Sequence, residues 1–211
     1  MALQPKARVD RDSRREAILD VAADIFMEVG YAAASMSMIA ARVGGSKGTL
    51  YNYFKGKDEL FEAYVNRHCL WQQEVMDEYL NQGGDIRAAL TSLGGAYLRV
   101  VTSGFGLANF LLVASEARRA PEIGRAFYEA GPQRATARLA QFIERASREG
   151  RLRACDPVAA AHQFMGLCQN RLFKARLCNY GPEPTPAEIE AEVDAAVETF
   201  MAAFGAKRDA A

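Results

Sequence analysis

Between Arg42 and Lys57 the chain carries four cations, Arg42, Lys47, Lys55 and Lys57, and no acid. Inside that window Ser46-Lys47-Gly48-Thr49 precedes Tyr51-Asn52-Tyr53. These residue types suit duplex DNA. Lys47 can reach guanine or phosphate, and Thr49 can touch a thymine methyl or donate a hydrogen bond. Ser46, Gly48 and Thr49 are small enough to let backbone approach closely. Tyr51, Asn52 and Tyr53 supply hydroxyl and amide donors for phosphates. Lys57 opens the next helix, whose amide dipoles also attract phosphate. Catalytic chemistry has far less support. The chain has two histidines, and neither has a Ser, Cys or acid partner at a credible spacing. Gly44-Gly45-Ser46-Lys47-Gly48-Thr49 superficially suggests a phosphate loop, but its order is wrong and no strand precedes it. Cys69, Cys155, Cys168 and Cys178 lack paired ligand spacing, so they read as reduced thiols. No enzyme activity, metal or cofactor is expected.

The elements that must position these residues read as helix after helix, about nine in all, with no alternating strand pattern. Half of the 211 residues are apolar and a quarter charged, with zero formal net charge. That is the balance of an ordinary globular protein, so the argument for a polyanion rests on local charge. No apolar run reaches membrane-spanning length. No apolar signal core follows Met1-Ala2-Leu3-Gln4-Pro5-Lys6, so the expectation is a cytoplasmic protein without a membrane partner. Ser13-Arg14-Arg15-Glu16 has the pattern of a capping box for a first helix, which Gly30 ends. Ser35 caps a short helix, Gly44-Gly45 forces a turn, and Ser46 begins a third helix through Phe54. A long fourth helix starts near Gly56. Asp85 caps a fifth, and Leu107 to about Arg118 forms a sixth. Pro121 starts a segment broken or kinked at Gly131-Pro132. Asp156-Pro157 starts a helix of about 157–178, and Thr185-Pro186-Ala187-Glu188 is a capping box for the last, 186–204. Residues 1–12 read as a flexible N-terminal arm, 13–66 as a helix-turn-helix domain with its motif at about 35–54, and 67–211 as a helical bundle.

The segment from Gly30 to Leu60, GYAAASMSMIAARVGGSKGTLYNYFKGKDEL, resembles the DNA-binding signature of the TetR family. Met36 and Gly45 depart from its usual pattern, and glycine at 45 should loosen the turn. The resemblance implies an all-α fold: a three-helix N-terminal DNA-binding domain and a C-terminal domain that binds ligand and dimerises. It implies that Ser35 and Ser37 lie at the phosphate-facing start of the second helix. It also implies that Lys47, Gly48, Thr49 and Asn52 face bases while Tyr51, Tyr53 and Lys57 clamp phosphates. The segments PEIGRAFYEAGPQRATARLAQFI and DPVAAAHQFMGLCQN resemble the sensor domain of AefR-like members.

The family architecture implies a homodimer through the last two long helices, with Leu172, Val193, Val197, Phe200 and Met201 as candidate interface residues. It also implies a sensor pocket among helices four to eight, and the apolar bias of the residues there suggests a small hydrophobic or aromatic effector. Candidates are the large apolar residues Trp71, Tyr97, Phe110, Phe127, Phe142, Phe164, Met165 and Phe173. Polar residues on otherwise apolar faces join them: Asn109, His162, Gln163, Gln169 and Asn170. The function implied is a repressor that holds a palindromic operator and is released by its effector. The alternative is a helical adaptor that binds a protein and not DNA.

Overall fold

The computed structural model describes the backbone of residues 6–81 and 85–206, and the side chains of 11–69, 80 and 85–206. Among them the chain is α-helical: α1 (Lys6–Ala33), α2 (Met36–Val43), α3 (Lys47–Tyr51), α4 (Lys57–Asn81), α5 (Ile86–Thr102), α6 (Gly104–Glu116), α7 (Pro121–Tyr128), α8 (Arg134–Arg148), α9 (Pro157–Cys168), α10 (Leu172–Leu177) and α11 (Pro186–Phe204). Among the described residues the only extended pairing is an isolated bridge, Leu152 with Gly205.

The chain folds as two compact units: Met1–Cys69 with Ala108–Ala130, and Leu70–Leu107 with Gly131–Ala211. The first unit closes over Ile18, Ala22, Ile25, Phe26, Ile39, Leu50, Phe54, Leu60 and Phe61, joined by Val113 of α6 and Ile123 of α7. Phe26, Tyr31, Phe61 and Tyr64 form a ring cluster, with Tyr31 and Phe61 centroids 5.0 Å apart and edge-to-face. Each fully buried phenylalanine contributes roughly 1.5–3 kcal/mol by leaving water. In the second unit α5 packs against α9 and α11. Gly94 makes that approach possible, since a Cβ there would lie 2.9 Å from Val193 Cγ1.

Several expected boundaries hold. Ser35 Oγ accepts from Met38 N at 3.2 Å, Asp85 caps α5, and Thr185 and Glu188 form the reciprocal capping box of α11. Others move. The expected break at Gly30 is present (φ 78°), but α1 begins at Lys6, so Ser13 lies inside the helix and caps nothing. No Gly or Pro separates Lys6 from Ser13, and nothing local stops the helix from extending. α3 ends at Tyr51 because Asn52 and Tyr53 N–H groups turn back to the carbonyls of Thr49 and Leu50, three residues earlier. That tightening is common at helix ends. α6 begins at Gly104, as Ser103 Oγ accepts from Gly106 N at 3.0 Å and caps it. At Gly131-Pro132 the α-helix is interrupted as expected, without the chain leaving helical form. Residues Glu129–Gln133 form a π-helical turn that carries the chain from α7 into α8. The helix expected over 157–178 is interrupted, because Glu192 takes the Arg171 N–H and Nε, each at 2.9 Å, and resets the start of α10.

Candidate nucleic-acid interface and effector region

α2, the turn and α3 form the two-helix unit expected at 35–54. Gly44 sits in the left-handed region (φ 74°, ψ 39°) after Val43. Its N–H reaches Ala41 O at 3.3 Å, while Gly45 N reaches Ala40 O at 3.0 Å. This pair of bonds closes the C-terminus of α2 and turns the chain into α3. Ser46 then caps α3: its Oγ accepts from Thr49 N at 3.0 Å and lies 2.9 Å from Thr49 Oγ1. The Thr49 hydroxyl is therefore tied to the cap. Leu50 and Phe54 anchor α3 in the core, at 2% and 1% exposure.

The opposite face is open. Ser37, Lys47, Gly48, Thr49, Tyr51 and Asn52 are exposed, and Ser35 and Tyr53 are half-buried. The Lys47 ammonium lies 6.0 Å from the Tyr51 ring centroid. Eight of the nine expected contact residues are thus exposed or half-exposed on α2, the turn and α3.

Lys57, the ninth, does something else. Its Nζ donates to Tyr31 O at 2.7 Å, Ala34 O at 3.1 Å and Ala32 O at 3.4 Å, and sits 4.2 Å above the Tyr31 ring. An ammonium has three donors, and three carbonyls account for them. In this structure the Lys57 ammonium, expected from the sequence to clamp phosphate, welds the carbonyls at the α1–α2 connection to the start of α4. Beside it the Tyr31 hydroxyl donates to Asp58. Burial and then that bond to the acid push the phenol well above its ordinary value.

The structure also brings up residues that sequence reasoning passed over. Arg11 Nη2 lies 3.5 Å from Asn52 O, Arg14 Nη2 lies 3.4 Å from Val43 O, and the Arg15 guanidinium lies 5.0 Å from the Phe54 ring centroid. Their cationic spacing was visible, but not that α1 runs past the reader.

The effector candidates divide between the two units. Asn109, Phe110 and Phe127 belong to the first unit and the others to the second. Asn109 is 4% exposed and accepts from the Tyr64 hydroxyl, whose pKa burial raises to about 12. Phe110 and Phe127 meet edge-to-face at 6.4 Å. Nearby on α4, His68 is pushed below its ordinary value by burial and then by Arg67. In the second unit Gln169 donates to Tyr97, and burial raises that phenol. Phe142 and Phe164 are core residues, Phe173 is buried, Met165 is half-buried, and His162, Gln163 and Asn170 are exposed. The side chain of Trp71 lies outside the described residues.

The expected dimer residues also turn inward. Val193, Val197 and Phe200 are 1%, 3% and 0% exposed, and Leu172 is buried. Phe200 packs on Phe164 at 5.4 Å. Met201 is half-buried against the same core. The stripe of α11 fills its own unit because α5 and α9 present an apolar surface to it. An open groove of about 440 Å³ runs along the outer side of α9 and α11, lined in part by Gln163, Gly166, Asn170, Thr199 and Ala203.

Comparison with known proteins covers both parts of the chain. Residues 18–64 match the family described as bacterial regulatory proteins, tetR family. Residues 88–206, more than half the chain, match the AefR-like transcriptional repressor C-terminal domain. The HTH-type transcriptional activator FasR of Mycolicibacterium smegmatis is 46% identical over 61 residues, 29% of this chain and 28% of FasR. The chain thus matches less than a third of that relative's length. A crystal structure of a protein described as a TetR-family transcriptional regulator from Mesorhizobium loti MAFF303099 superposes with a TM-score of 0.83 at 27% identity, covering 92% of this chain and 98% of that one. The flavonoid-responsive regulator FrrA superposes with a TM-score of 0.81 at 30% identity, covering 93% and 100% of the two chains.

Proposed function

The chain belongs to the TetR family of DNA-binding transcriptional regulators, not to any enzyme family, and from that premise we propose that it is a cytoplasmic repressor which grips a palindromic operator as a homodimer and lets go when a small apolar or aromatic effector binds. The observation that carries this reading is the accessible, acid-free edge of α2 and α3. Lys47, Gly48 and Thr49 stand at the start of a capped helix whose other side is locked into a core. In a helix-turn-helix the start of the second helix meets base edges in the major groove. Thr49 keeps its methyl for a base while its hydroxyl stays with Ser46. Ser35, Ser37, Tyr51 and Tyr53 serve phosphates, with Asn52 turned toward bases.

The dimer uses the outward faces of α9 and α11. Ala159, Gly166, Ala195 and Ala203 are small and exposed there, so two copies of these helices can approach closely. The groove beside them is what a second copy covers. For the effector, the Tyr64–Asn109 bond is a buried polar handle with Phe110 and Phe127 on the same unit. That combination suits an aromatic molecule carrying a hydroxyl, and FrrA, similar along its whole length, is named for its response to flavonoids.

The test is fluorescence anisotropy with duplexes selected from a random pool by the full-length protein, followed by titration of a flavonoid panel. Salt-sensitive retention of a palindromic duplex, reversed by a panel member, is expected. Selection that returns no palindrome and no salt-dependent binding refutes the repressor reading. Gly166→Arg is expected to give folded monomers by light scattering, and a normal dimer from that variant removes this interface.

A further inference from the structure

Arg11 is separated from the reader by 41 residues to Asn52, yet its guanidinium ends on that residue's carbonyl, 3.5 Å away, and lies 5.9 Å from the Tyr53 ring centroid. It arrives there because α1 starts at Lys6 and carries Arg11 on a turn of helix ahead of the expected boundary. Arg11 and Arg15 are spaced four apart, so they share one side of α1. Arg11 itself is exposed. Among the described residues no carboxylate comes within ion-pair distance of Arg11 or Arg14, while Arg15 meets Glu16 only at 3.7 Å. Glu16 is in turn drawn to Arg67 at 3.1 Å.

A guanidinium has five donors. The single bond to Asn52 leaves most of them facing outward beside Tyr53. We propose that Arg11 is a DNA-backbone contact, carried by the N-terminal turns of α1 to the flank of α3, where with Tyr53 it holds one phosphodiester. This rests on the reading of the α2–α3 edge as the DNA-binding face. The flat guanidinium fork matches two phosphate oxygens, and the tyrosine face keeps it aimed. The bond to the Asn52 carbonyl presets the arm, so little side-chain freedom is lost when DNA arrives.

The experiment compares full-length wild type with Arg11→Gln and Arg11→Lys on a selected duplex and on a scrambled duplex, over a range of salt. Counterion release makes the slope of log affinity against log salt fall by about 0.9 for each lost phosphate contact, roughly two units for a dimer. Arg11→Gln is expected to lose that slope on both duplexes, with about a tenfold loss of affinity per protomer near 0.1 M salt. Arg11→Lys is expected to keep most of the slope, and the melting temperature of both variants stays near wild type. If wild type binds with a steep slope and Arg11→Gln matches it, Arg11 is no contact, and the DNA-binding reading stands. If Arg11→Gln weakens binding with the slope unchanged and Arg11→Lys fails to rescue it, the arginine only braces Asn52 and Tyr53, and the proposal falls. If wild type itself shows no salt-dependent duplex binding, the underlying reading fails first.

Discussion

Lys57→Met separates a weld from a clamp. Methionine keeps most of the aliphatic stem of lysine and removes the ammonium. What is lost is three donations, to Tyr31, Ala32 and Ala34 carbonyls, and a cation 4.2 Å above the Tyr31 ring. Hydrogen bonds from charged donors contribute roughly 1.5–3 kcal/mol each when fully buried. Lys57 is half-buried, so solvent screens them, and the whole set is worth about 2 kcal/mol. For a chain of this size about 1 kcal/mol moves the melting midpoint by roughly 2–4 °C, so the variant should melt about 4–8 °C lower. The assay is circular dichroism at helical wavelengths, paired with DNA binding across salt at a temperature where both proteins are folded. A weld predicts weaker selected binding with a nearly unchanged salt slope, because no phosphate contact has gone. An unchanged midpoint together with a slope reduced by about 0.9 per protomer would refute the reasoning and return Lys57 to the phosphates.

Other outcomes follow from single distances. Gly45 is not in the left-handed region, and a Cβ there meets Arg14 Nη2 only at 3.5 Å. Gly45→Ala should thus stabilise the protein by about 0.4–1 kcal/mol in chemical denaturation, chiefly by restricting the unfolded chain, while Gly44→Ala destabilises it. Gly94→Ala places a methyl 2.9 Å from Val193 Cγ1 and 3.4 Å from Cys168 Sγ. It should cost about 1–2 kcal/mol through overpacking, with part of that loss recovered in the Gly94→Ala, Val193→Ala double variant; additive losses would show that the clash is absorbed elsewhere. Glu188 is held below its ordinary 4.5 by the Thr185 backbone and hydroxyl donors. Its contribution is present at neutral pH and fades as pH falls through that lowered value. Glu188→Gln should therefore lower the midpoint at pH 7 and flatten its acid dependence, and an identical pH profile would exclude the capping box as the cause.

The reader was legible from sequence because its instructions are local. Ser35, Gly44, Ser46 and the Thr185–Glu188 pair act on backbone groups within a few residues of themselves, and hydroxyl or acid before a helix, glycine after it, is a rule of the chain alone. The same locality made the exposed Lys47 and the hydroxyls of 46–53 readable as candidate contacts once two short helices were placed. The stripes of α5 and α11 were legible as buried faces for the same reason. Helical periodicity says that a face leaves water, not what covers it.

What covers each face was decided by the tertiary structure. Val193, Val197 and Phe200 turned to α5 and α9, and the small residues behind them were left outward. Glu192 reached across to Arg171 and divided a helix that the local pattern would have continued. Lys57 and Arg11 are chemically alike on the page, both cations beside a DNA-binding motif. Three carbonyls at the end of α1 and just beyond it hold one, and the length of α1 delivered the other to the open edge of α3. Those fates depend on partners 23 to 41 residues away, a separation at which sequence spacing carries no geometric information until the core has closed.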